Sequence, residues 1–155
     1  MIDYVNVCKE NNIKPIGGME FRDGDELMFI GIAMNKEGFK EINDHMSAIN
    51  LGQKKINKKA PSFSNVYVIY PFPKAINYSL KDHEFIGVRP SQVHKLISLK
   101  QEKISKMVIQ QPVTFRDNRT WYLHKNLRAI DHNILLSHIK PSMHADKNEL
   151  LLPEN

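Results

Sequence analysis

Glu20 sits near the end of the run Lys14-Pro15-Ile16-Gly17-Gly18-Met19-Glu20-Phe21, just ahead of Arg22-Asp23-Gly24-Asp25 and the apolar stretch Leu27 to Ala33. A carboxylate in apolar, strand-like sequence is costly to bury bare, so it must be solvated, paired or bound to a cation. A strand-end glutamate facing water meets that demand, and so does a metal ligand; spacing alone leaves both open. The seven histidines supply few partners for the second role. His45, His83 and His94 read as surface residues, and His124 as a polar contact near a helix start. Asp131-His132 reads as a pair inside a helix. His138 and His144 share no helical face, and His144-Ala145-Asp146 falls in a polar tail, a poor support for rigid ligands.

Other chemistries find less to work with. The sequence has no Gly-x-Ser-x-Gly elbow, no Gly-x-x-x-x-Gly-Lys phosphate loop, and no cysteine paired to a plausible catalytic base. Gly17-Gly18 reads as a close-packing point rather than a phosphate cradle. Tyr67, Tyr70 and Phe72 offer rings that could stack on bases, but core and strand-end packing accounts for them as well. Lys54, Lys55, Lys58 and Lys59 lack interleaved aromatics and read as a solvated loop.

The elements that must position these residues follow from periodicity. Residues 3–11 predict a short helix with Val5 and Cys8 on one face. Residues 13–21 predict a strand with Pro15 near its start, since proline cannot donate to a ladder. Asp23-Gly24 is a two-residue turn signal, and Leu27–Ala33 returns as a strand apolar enough to be covered on both faces. Phe39, Ile42, Met46 and Ile49 make one helical stripe stopped by Gly52. A lysine-rich loop over 53–64 leads to a strand at Val66–Tyr70. Glu84–Val88 is a further strand, and Pro90-Ser91 opens a helix with Val93, Leu96 and Ile97 on its apolar face. Lys106–Gln110 is the last strand. Arg119–Leu136 reads as a helix with Leu123, Leu127, Ile130 and Ile134 as its stripe, and the tail from Pro141 as polar and loosely packed, with Leu150-Leu151-Leu152 able to dock on a neighbour. Strands alternating with helices predict an α/β fold with a mainly parallel sheet.

Composition sets the frame. The 155 residues suit one domain or a large part of one. A net charge of +5 is compatible with a nucleic-acid partner without demanding one. The single cysteine, Cys8, excludes an internal disulfide framework and fits a reducing cytosol. No run approaches the roughly 18–20 apolar residues of a membrane helix, and no basic leader precedes Asp3. Cytoplasmic residence with no membrane partner is the expectation.

The order Val7-Cys8-Lys9-Glu10-Asn11-Asn12, Ile13 to Phe21, Leu27 to Ala33 and Asn35-Lys36-Glu37-Gly38-Phe39 resembles the PHP (polymerase and histidinol phosphatase) domain of bacterial DNA polymerase III alpha subunits, in the form seen in Bacteroidetes-like bacteria. Phe85-Ile86-Gly87-Val88-Arg89-Pro90, Gln111-Pro112-Val113 and Leu123 to Ile130 continue the likeness. It implies a PHP domain over residues 2–140, incomplete at its N-terminus, and a tail or linker toward the polymerase region over 141–155. The implied architecture is part of a distorted seven-stranded, TIM-like β/α barrel lacking its first strands.

The resemblance also sets expectations of function. The family hydrolyses phosphate esters at a cluster of divalent metals, which neutralise the phosphoryl charge and supply hydroxide. It carries over one metal ligand, Glu20. The family's opening strand with a His-x-His pair and its second strand ending in an Asp-His-type motif do not lie ahead of Ile2, so the chain reads as a fragment that starts after them; Thr114-Phe115-Arg116-Asp117-Asn118 stands where an Asp-x-His motif is expected. The implied role is a non-catalytic scaffold in the replicative polymerase, a DNA-directed nucleotidyltransferase whose magnesium-dependent palm this chain does not contain. No cofactor is expected for the chain alone, although the intact domain could hold a divalent metal. Implied partners are the rest of the alpha subunit, the proofreading exonuclease subunit, other replisome proteins, and DNA through the parent. The alternatives are a free-standing, metal-dependent PHP phosphoesterase and a binding module unrelated to replication.

Overall fold

The computed structural model describes residues 2–97 and 99–150. Helix α1 (Ile2–Glu10) leads to strand β1 (Gly18–Asp23), which turns at Gly24 into β2 (Glu26–Ala33). Gly24 has φ +58, the left-handed backbone that the Asp-Gly signal requires. Helix α2 (Lys36–Asn50), strand β3 (Val66–Pro71) and strand β4 (Glu84–Val88) follow, then a 3-10 segment Pro90–Leu96, the short helix α3 (Gln101–Ile104), β5 (Met107–Ile109) and helix α4 (Asn118–Asp131). The five strands form one open sheet in the order β1-β2-β3-β4-β5, so the chain is α/β.

The sheet is mixed rather than mainly parallel. β1 pairs antiparallel with β2 and β2 with β3; β3–β4 and β4–β5 are parallel. The first antiparallel pair is a tight hairpin. The second has a longer-range cause at the start of α2. Glu41 accepts from the backbone N–H groups of Ser64 (2.8 Å) and Asn65 (3.1 Å), and Met34 N–H donates to the Asn65 carbonyl at 3.0 Å. These bonds bring residues 64–65 back to the end where β2 finished, so β3 must run the opposite way.

One face of the sheet holds the core. Phe21, Phe29, Ile42, Val66, Val68, Tyr70 and Ile86 are essentially inaccessible, with α2 lying over β1, β2 and β3. Burying each such side chain contributes about 1.5–3 kcal/mol. Met28 joins this core because a β-bulge between Phe21/Arg22 and their partners Phe29/Leu27 turns it inward. Cys8 is buried, as a small apolar residue would be.

The opposite face departs from expectation. Alternation places Glu20, Ile30, Ile32, Tyr67, Ile69 and Phe85 there, and none is buried. β2 is therefore covered on one face, not two. The strand expected over 13–21 begins only at Gly18, because its partner β2 ends at Ala33, whose N–H donates to Gly17 O. The helix expected after Pro90 is a 3-10 turn; Leu96 packs on the core while Val93 and Ile97 lie exposed.

Helix α4 is inverted relative to its sequence pattern. Leu123, Leu127 and Ile130 are 57%, 56% and 74% exposed, whereas Trp121, His124 and Arg128 face protein. It stops at Asp131 rather than Leu136, where Asn133 takes φ +52. The tail from Pro141, expected to be loose, is bonded along its length to α4 and to Thr114-Phe115. Leu150 makes a parallel bridge with Phe115, while Leu151 and Leu152 lie outside the described residues.

Candidate functional site

A cleft of about 800 Å³ lies between the β1–β2 turn, the end of β4, helix α4 and the segment Pro141–Glu149. Glu20 lies on its wall, beside Arg22, two residues along β1. The Arg22 Nε donates to the Glu20 carboxylate at 2.8 Å, and both side chains are close to half exposed. The glutamate is thus both solvated and paired. Exposed pairs of this kind contribute little, about 0–1 kcal/mol.

Arg128 holds the opposite wall. Its Nε donates to the Met143 carbonyl (2.7 Å), one terminal nitrogen reaches Asp131, and the other lies 3.4 Å from Asp25 on the β1–β2 turn. His132, expected within a helix, caps α4, with its Nε2 2.9 Å from Arg128. Arg89 follows β4 and meets Glu149 at 3.0 Å; Glu149 is buried and also accepts from the Thr114 hydroxyl. The cleft therefore contains three arginines, each already facing a carboxylate. Such a lining is electrostatically balanced rather than a clamp for an anion.

The histidines divide sharply. His124 Nε2 accepts the Ala145 N–H at 3.2 Å, and its ring lies 5.1 Å from that of Phe115. Burial, then the neighbouring Arg128 and His144, holds its pKa below the usual 6.5 against a smaller opposing pull from Glu149. His144 packs edge-on against Trp121, so the His144-Ala145-Asp146 segment is held in place rather than loose. His45, expected at the surface, lies between Phe21 and Phe63, and its buried Nδ1 has no hydrogen-bond partner. Desolvation, and secondarily Lys54, lowers its pKa from 6.5. His94 and His138 are exposed.

The other candidates sort by face. Tyr70 and Phe72 are buried in the core, whereas Tyr67 lies on the opposite face against Phe85, so the three rings form no common platform. Burial, foremost, raises the Tyr70 hydroxyl to about 12. Gly17 and Gly18 are close-packing points: a Cβ would stand 3.0 Å from the Phe39 ring in the first case and 2.9 Å from Gly31 O in the second. The four lysines of the 53–59 loop are exposed.

A divalent-metal cluster of the PHP kind does not fit these donors. Among the described residues Glu20 has no second ligand beside it, only the guanidinium of Arg22, and no group of three or more His, Cys, Asp or Glu is placed to hold a metal ion. The residues that sequence reading missed are Arg89, Trp121, Arg128 and Glu149. The one available signal was the wheel of α4, on which Trp121 and Arg128 fall opposite the apolar stripe. Comparison with protein-family models, curated proteins and solved structures gives no match. No helix among the described residues is long and apolar enough to cross a membrane.

Proposed function

We propose that this chain is a segment of the replicative DNA polymerase III alpha subunit: an incomplete PHP domain that acts as a scaffold beside the polymerase core. In this reading it takes part in DNA synthesis through its parent and carries no phosphoesterase chemistry of its own. The observation that carries it is the uncovered sheet face. Ile30, Ile32, Tyr67, Ile69 and Phe85 form an apolar surface of which no member is buried, Tyr67 being 44% exposed and the other four partly exposed. An interior of that kind is what a β/α barrel fills with side chains from its other strands. Glu20, which the resemblance matches to the family's carboxylate ligand, stands on the same face. The order and spacing of the motifs from Val7 to Ile130 support the same assignment.

The test compares the parent subunit with a version deleted for this segment, reading co-purification of the proofreading exonuclease. Loss of the exonuclease on deletion is expected; full retention refutes the scaffold role. The isolated chain is expected to extend no primer, and to hydrolyse no chromogenic phosphate ester with manganese or zinc. Ester turnover above a heat-killed control would instead support the free-standing phosphoesterase.

A further inference from the structure

We propose that His124 is a proton-sensitive latch that fastens the strap of residues 141–149 to α4, so that acidification unfastens the strap and opens the cleft. The proposal does not depend on the polymerase reading.

Three side chains on one face of α4 hold this strap by its backbone. Trp121 Nε1 donates to the Ala145 carbonyl at 3.2 Å, Arg128 Nε donates to the Met143 carbonyl at 2.7 Å, and His124 Nε2 accepts the Ala145 N–H at 3.2 Å. Only the histidine bond depends on pH. It needs a lone pair on Nε2, so the neutral ring carries its proton on Nδ1. Once protonated, the ring has no acceptor, and Nε2–H confronts the Ala145 N–H donor to donor.

The charges around the ring oppose protonation. Arg128 lies one turn along the same helix and His144 on the strap itself; Glu149, also on the strap, is the countervailing anion. Glu149 is engaged by Arg89 and Thr114, which weakens its ability to compensate an imidazolium. Across the cleft, Glu20 is paired with Arg22, and Asp25 with Arg128. Elsewhere on the strap, Lys147 stands over Trp121 as a further positive charge, while Asp146 accepts the Asn148 N–H. A proton placed on His124 therefore costs a hydrogen bond and gains no free carboxylate.

The strap lines the same cleft as Glu20, so releasing it changes access to that cleft. The test is amide exchange at Ala145, corrected for the intrinsic pH dependence of exchange, measured with the NMR titration of the His124 ring. Protection at Ala145 is expected to fall as pH drops below 6.5, by up to about tenfold per pH unit, and to level off once the lowered His124 midpoint is passed. Amides of Phe29 and Val68 in the core should not follow it. His124→Phe keeps the aromatic contact with Phe115 and removes the acceptor; its Ala145 should be weakly protected at every pH. Protection that stays flat through the His124 titration, or that follows another histidine, overturns the latch, and this wild-type measurement decides even if the variant does not fold.

Discussion

Gly38 lies in the first turns of α2, where replacing glycine with alanine in a free helix would stabilise by about 1 kcal/mol. Here the structure reverses the sign. A Cβ on Gly38 would land on the Asn65 carbonyl oxygen and stand 2.8 Å from its carbon. Neither group is the end of a flexible side chain, so either α2 or the 64–65 backbone must move by on the order of an ångström. Three of the bonds at risk run from Glu41 to Ser64 N–H and to the backbone and side chain of Asn65. Two more join Met34 and Asn35 to Asn65. Losing two or three of them at about 1–1.5 kcal/mol each outweighs the propensity gain. Gly38→Ala is therefore expected to destabilise by about 1–3 kcal/mol. Urea unfolding at constant m-value measures it. A midpoint equal to or above that of the parent chain would refute the argument that this contact turns the chain back into β3.

Two further predictions test the core and the open face. His45→Leu removes a buried unpaired Nδ1, so it should raise stability by about 1 kcal/mol. In the folded chain the His45 pKa is lowered, so the unfolded chain binds the proton more readily; stability is full above 6.5 and declines as pH falls below it. The variant should lose part of that decline when urea midpoints at pH 8 and pH 5 are compared, and an unchanged slope rules out His45 as a source. Tyr67→Thr, on the open face, should reduce binding of an apolar fluorescent dye by the isolated chain while shifting Tm by no more than about 2–4 °C, the equivalent of roughly 1 kcal/mol. A collapse of stability would mean that Tyr67, 44% exposed, belongs to the core after all.

Much of the fold was legible locally. The Asp23-Gly24 turn, the α2 stripe of Phe39, Ile42, Met46 and Ile49, the Gly52 stop at φ +70 and the strand Glu84–Val88 stand where spacing placed them. Each is governed by neighbours within a few residues. The faces were less legible. The α4 stripe is helical as its spacing predicts, yet its leucines face solvent because the strap takes the opposite side through Trp121, His124 and Arg128. Trp121 and Arg128 opposite the stripe are the one local mark of a partner in the segment 118–131, and they do not say which part of the chain it is. The site itself was half visible: Glu20 could be singled out as needing a partner, but Arg22, two residues away and on the same face of β1, proved to be that partner.

By itself, the sequence determined the order of the five strands and of α1, α2 and α4, the α/β class and the Asp23-Gly24 turn, because periodicity and backbone-restricted residues act over a single turn or strand. Only the tertiary structure decided strand direction, the buried side of each element and the charge balance of the cleft. Those depend on groups far apart in the chain, such as Glu41 with Asn65 and Arg89 with Glu149. Their meeting is set by how the whole chain closes, and no local pattern encodes it.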